Sequence, residues 1–126
     1  MNPVSIRLLS QQLCTPQFIK PEDVVRHFGA MQGQEYRLMR WAVAMRTKKP
    51  SAKAFQKAYD SGKIIRLHLL RGTWQLVATE DYHWMLDLFA DKARRVIQGW
   101  MSANGISIPD EEYTQIRAIL LKCASD

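Results

Sequence analysis

Cysteine is scarce in this chain, which has only Cys14 and Cys123. Neither belongs to a Cys-x-x-Cys pair or stands beside a histidine at ligand spacing, which excludes a disulfide framework and a zinc module. Two thiols so far apart read as reduced residues of a cytosolic protein. Long apolar runs are missing too. Residues 41–45 are among the longest, far short of the roughly 20 residues that cross a bilayer. The opening Met-Asn-Pro-Val-Ser-Ile-Arg has no apolar signal core, so neither secretion nor membrane attachment is expected. The histidines His27, His68 and His83 are dispersed, with no His-x-x-x-His pattern, so no metal or other cofactor is expected. There is no glycine-rich phosphate loop and no nucleophile elbow. Acids cluster at Glu22-Asp23, Glu80-Asp81 and Asp110-Glu111-Glu112. All three clusters fall at expected helix starts, where the macrodipole favours negative charge, which argues against a catalytic carboxylate pair.

What remains is an ordinary globular composition at one-domain length: 126 residues, 47% hydrophobic and 24% charged. A chain of this size buries roughly two thirds of its unfolded surface and needs no covalent staple. Its net charge of +6 is unevenly placed. Residues 37–71 hold ten Lys and Arg against the single acid Asp60, a local charge of +9, and the rest of the chain is −3. Such a basic segment is the footprint of a phosphate-binding surface, unless it is merely a solvated face.

Apolar periodicity separates the two. Residues 5–13 carry Ile6, Leu9 and Leu13 at helical spacing, and Pro21 and Gly29 bracket a second helix. Leu38, Trp41, Ala42 and Met45 then predict a helix whose apolar stripe is buried, with Arg37 and Arg40 off that stripe. Ser51 is the expected N-cap of the next helix. Phe55 and Tyr59 would point inward there, and Lys53 and Lys57 outward. In residues 63–70 the period becomes twofold: Ile65, Leu67 and Leu69 alternate with Arg66 and His68. Arg71-Gly72 supplies a turn and residues 73–77 the return strand. Beyond it, Thr79 is the expected cap of a helix burying Tyr82, Met85, Leu86 and Phe89. A further helix would carry Ala93, Val96, Ile97, Trp100 and Met101, and a last one would start at Asp110. Trp41, Trp84 and Trp100 are expected to pack, and Trp74 either packs or touches a base.

Helices leading into a short hairpin give the expected fold: mainly α with a small β-hairpin, a winged helix-turn-helix followed by additional helices. Residues 1–90 would form the winged-helix DNA-binding module and residues 91–126 the opening helices of a second one. Because the basic third of the chain maps onto the first unit, double-stranded DNA is the expected partner.

Two segments carry a resemblance. Ala30-Met31-Gln32-Gly33-Gln34-Glu35, running into residues 37–46, resembles the LQAQ…ALWAR stretch of a bacterial winged-helix DNA-binding family. Leu70-Arg71-Gly72-Thr73-Trp74-Gln75-Leu76-Val77, followed by Glu80-Asp81, resembles the same family's MRGTxHLV…ED signature. The family includes the AlkZ-type alkylpurine DNA glycosylases, which excise alkylated bases and unhook crosslinks. The resemblance implies that Gln32 and Gln34 are the catalytic pair. An N7-alkylated purine is already a cationic leaving group, so a neutral amide that orients water and faces the developing sugar cation is sufficient chemistry. Two residues at i and i+2 share a direction only on an extended backbone, which Gly33 permits. Gly33 stands where the family has an aliphatic residue, and Gln75 where it has histidine. Arg37, Arg40, Lys53 and Lys57 are the expected phosphate contacts, with Arg66, His68 and Arg71 on the wing. Family members carry several tandem modules, so the resemblance also implies a fragment or a shortened relative. The rival readings are a noncatalytic DNA-binding or transcription-regulatory domain and a protein-interaction module.

Overall fold

The computed structural model describes residues 2–125, and the side chain of Arg71 lies outside what it describes. The elements in chain order are α1 (Pro3–Ser10), α2 (Pro21–Phe28), β1 (Ala30–Gln32), α3 (Tyr36–Ala44), α4 (Ala52–Asp60), β2 (Ile64–His68), β3 (Trp74–Ala78), α5 (Tyr82–Ala103) and α6 (Asp110–Ser125). Single 3₁₀ turns occupy Leu70–Gly72 and Thr79–Asp81. The chain is mainly α with a small β-hairpin, as expected from its sequence. Proline opens α2, where an N–H would have no intrahelical acceptor, and Gly29 leaves it at φ +71°, in the left-handed region. The Ser51 hydroxyl accepts from the Ala54 N–H at 3.1 Å and caps α4. Two compact units divide within α5, between Ala93 and Arg94.

In the first unit the hairpin gains a third strand that periodicity did not reveal. The sheet order is β1-β3-β2, all antiparallel, with Gln32 opposite Gln75 and Arg66 opposite Leu76. Residues directly opposite share a face. One face carries Met31, Ile64 and Leu76 into the main core, where Leu76 packs with Val24, Val25, Met39, Val43 and Phe55 from α2, α3 and α4. The other face brings Ala30, Ile65 and Val77 against Met85 and Phe89 of α5. The register places Gln32 and Gln75 on this second face.

Four local expectations are corrected. On α3 the buried residues are Met39, Val43 and Ala44, whereas Leu38, Trp41 and Met45 are 65%, 59% and 48% exposed. The helix has two apolar stripes side by side, and α2 and α4 cover the one with the smaller side chains. Thr79 caps no helix; its hydroxyl donates to the Gly62 carbonyl, at the start of the hairpin. The two helices expected after it are one, the 22-residue α5, since nothing between Phe89 and Val96 interrupts helical geometry. Trp84 and Trp100 are 52% and 61% exposed, so packing does not enclose them within the described chain.

The second unit contains the last turns of α5 and all of α6. Asn104 closes α5 through its side-chain amide, which donates to the Trp100 carbonyl at 2.7 Å. None of its described residues is buried.

Candidate functional site

The Gln-x-Gln segment begins on β1 and continues beyond its end. Gln32 is the last strand residue, Gly33 is buried, and Gln34 lies in the bend before α3. The backbone is therefore extended into the segment, as placing both glutamines on one cleft requires. Gly33 donates its N–H to the Trp74 carbonyl at 2.8 Å, bringing the segment against β3. A Cβ at position 33 would meet the Leu76 side chain at 3.3 Å and the Gln75 backbone carbon at 3.5 Å. A side chain here, such as the family's aliphatic residue, would require Leu76 to give by a few tenths of an ångström.

The hairpin closes on this segment from the other side. The Gln34 amide oxygen accepts the Trp74 N–H at 3.4 Å. Arg66 donates from Nε to the Gly33 carbonyl at 2.8 Å and from Nη2 to the Gln34 carbonyl at 3.2 Å. Its guanidinium carbon lies 4.2 Å from the centre of the Trp74 ring, and His68 meets the same ring edge-on at 3.9 Å. Trp74 is thus a platform beneath Arg66.

Gln32 and Gln34 both line an open cleft of about 540 Å³ between β1, α3 and the end of α1. Gln11, Glu35, Leu38 and Arg46 line it as well. Arg46 donates to the Ala42 carbonyl and to Gln11 Oε1, the latter at 3.2 Å, and lies over the Phe28 ring. Burial pushes its guanidinium below the ordinary pKa value. Sequence reasoning singled out neither Glu35 nor Arg46. Glu35 immediately follows the glutamine motif, and that adjacency was the signal available; Arg46 was hidden among ten basic residues.

The other expected site residues are spread over three elements. Arg37 is exposed on α3, and Lys53 and Lys57 are exposed one turn apart on α4. Arg40 is half-buried, with its guanidinium over the Tyr36 ring at 5.5 Å and its Nε buried without a partner among the described residues. Gln56, between the two lysines of α4, accepts from the Tyr36 hydroxyl at 3.0 Å and joins α3 to α4. Gln75 is buried and donates from Nε2 to Thr73 Oγ1 at 2.8 Å. The Arg71 side chain lies outside the described structure. Among the described residues no group of three or more His, Cys, Asp or Glu could hold a metal ion, and no helix is long and apolar enough to cross a membrane.

The first unit thus sets three helices on a small antiparallel sheet, with a glutamine-lined cleft at the sheet's edge. The chain belongs to the AlkZ-like DNA glycosylase family: the family model described as DNA glycosylase AlkZ-like matches residues 25–122. Both sequence motifs fall within that span. Among solved structures, Streptomyces sahachiroi DNA glycosylase AlkZ is similar over 87% of this chain, with a TM-score of 0.70 and 20% identity. The similarity occupies 29% of that protein, so this chain spans less than a third of the relative's length. No curated protein matches the sequence significantly.

Proposed function

We propose that the first unit is a winged-helix module that binds double-stranded DNA and carries the glutamine pair of an alkylpurine glycosylase. The observation supporting this most is the convergence of Gln32 and Gln34 on one cleft at the sheet edge. Its volume of about 540 Å³ is within the range of small-molecule sites and exceeds that of a purine. In this reading an extrahelical N7-alkylated purine enters the cleft. The glutamine amides orient water toward the sugar carbon, Glu35 supplies negative charge near the sugar cation as the glycosidic bond breaks, and the water that adds to that carbon releases its proton to solvent. The purine leaves with the bonding electrons, which neutralise its charge, so the base itself needs no proton from the protein. Arg37, Arg40, Lys53 and Lys57 contact phosphates, and His68 and Arg71 belong to the wing. Both cysteines are free and exposed, in keeping with a cytosolic protein.

The test has two arms. DNA affinity should fall about a hundredfold between about 50 and 200 mM salt if four phosphates are neutralised; a flat response would remove the DNA reading. Release of N7-methylguanine should be measurable and should drop at least tenfold in Gln34→Ala. Equal release from both proteins would remove Gln34 from the chemistry, and none from either would exclude catalysis by this chain. The second reading, a noncatalytic DNA-binding domain, is favoured by Gln75, which replaces a titratable histidine with a neutral amide already bonded to Thr73. Salt-dependent binding without base release is its signature.

A further inference from the structure

Arg66 was expected on the wing as a DNA-binding residue, yet its guanidinium donates to two main-chain carbonyls of its own chain. We propose that Arg66 is a positioning residue that fixes the Gln32-Gly33-Gln34 segment, so that the wing sets the geometry of the glutamine pair. The inference rests on the catalytic reading of that pair, although its structural content can be tested separately.

Gly33 and Gln34 lie past the last residue of β1, where strand pairing alone no longer holds the backbone. Arg66 takes the carbonyls of both residues, at 2.8 and 3.2 Å. The Trp74 main chain makes two further bonds to the segment: its carbonyl accepts the Gly33 N–H, and its N–H donates to the Gln34 side-chain oxygen. The segment is thereby held through its backbone and through one catalytic amide by two hairpin residues. Stacking on Trp74 fixes the plane of the guanidinium, and His68 packs against that ring. A planar fork with several donors can span two successive carbonyls in this way. The ammonium of lysine keeps the charge but lacks the fork and the stacking face. An arginine read as an electrostatic contact to DNA therefore has a second use that lysine cannot serve.

That difference makes Arg66→Lys the decisive variant of the full chain. The affinity for undamaged DNA and its salt dependence should remain within about twofold, because the charge is kept. The single-turnover rate of N7-methylguanine release should fall at least tenfold with little change in half-saturating DNA concentration. Exchange of the Gly33 amide should quicken at least tenfold while Leu76 and Val77 stay protected. Trp74→Leu, which removes the stacking platform but retains the arginine, should shift the same two readouts in the same direction. If both variants leave Gly33 protection unchanged, the proposal is overturned. A drop of about one in the salt slope of Arg66→Gln, with Gly33 still protected, would likewise overturn it by making Arg66 a phosphate contact. Absence of base release from the unsubstituted chain would remove the catalytic reading, and Gly33 exchange would still decide whether Arg66 holds the segment.

Discussion

Glu22 is 9% exposed at the start of α2, and the exposed Lys63, just before β2, reaches it with Nζ 3.1 Å from Oε1. Burial pushes this carboxyl up. Its backbone hydrogen bond, the Lys63 ammonium and the charge of Lys20 together outweigh burial and hold it below the usual carboxylate value. A depressed native pKa favours the ionised group in the folded state. Its contribution to stability is complete above the unfolded pKa and disappears as pH falls through the lower native value. Glu22→Gln should cost about 1 kcal/mol or less at pH 7, because Lys63 remains largely solvated. The two proteins should converge in denaturant midpoint in strong acid; a constant gap at every pH would exclude the ionic contribution. Single residues were only partly legible in the sequence. Gln32 and Gln34 could be named from their motif, but the roles proposed for Arg66 and Glu35 depend on contacts between segments more than 30 residues apart and on a cleft that exists only after packing.

At the scale of elements, legibility followed the number of covered faces. Helix α2 was readable because proline and glycine mark its ends, and α4 because Ser51 caps it and only one face is strongly apolar. The three-residue β1 was invisible, since so short a strand cannot display alternation and depends on β3 for its partners. Helix α3 misled because both of its candidate stripes have helical spacing. Its true inner face yields a direct comparison. Met39→Ala should destabilise the protein by about 2–5 kcal/mol, the usual range for emptying a packed core position. Trp41→Ala should change stability by less than about 0.5 kcal/mol despite removing a far larger side chain, because Trp41 is 59% exposed. Chemical denaturation of the two variants would settle which stripe is inside; the reverse order of costs would restore the face read from the sequence.

For the whole molecule, charge and stability are unevenly distributed. The basic residues of positions 37–71 lie on α3, α4, the hairpin and their connections, all within the first unit, which also holds every buried residue among those described. The second unit has helical geometry with no enclosed side chain, and isolated helices of this length are marginal in water. Amide exchange should therefore run roughly a hundredfold faster across α6 than at Leu76 and Val77. Uniformly slow exchange would show that α6 is protected by contacts this chain does not display. The pairing of β1 with β3 also determines when the glutamine cleft can exist. Ala30 finds its partner Val77 47 residues later, and such long-range closures are slow relative to helix formation. During synthesis, α3 and α4 can emerge and wind before the hairpin leaves the ribosome, so the basic helices precede the cleft. A chain interrupted before residue 74 would retain the basic residues of positions 37–71 and lack the strand that pairs with β1, leaving a product with its positive charge in place but without the glutamine-lined cleft.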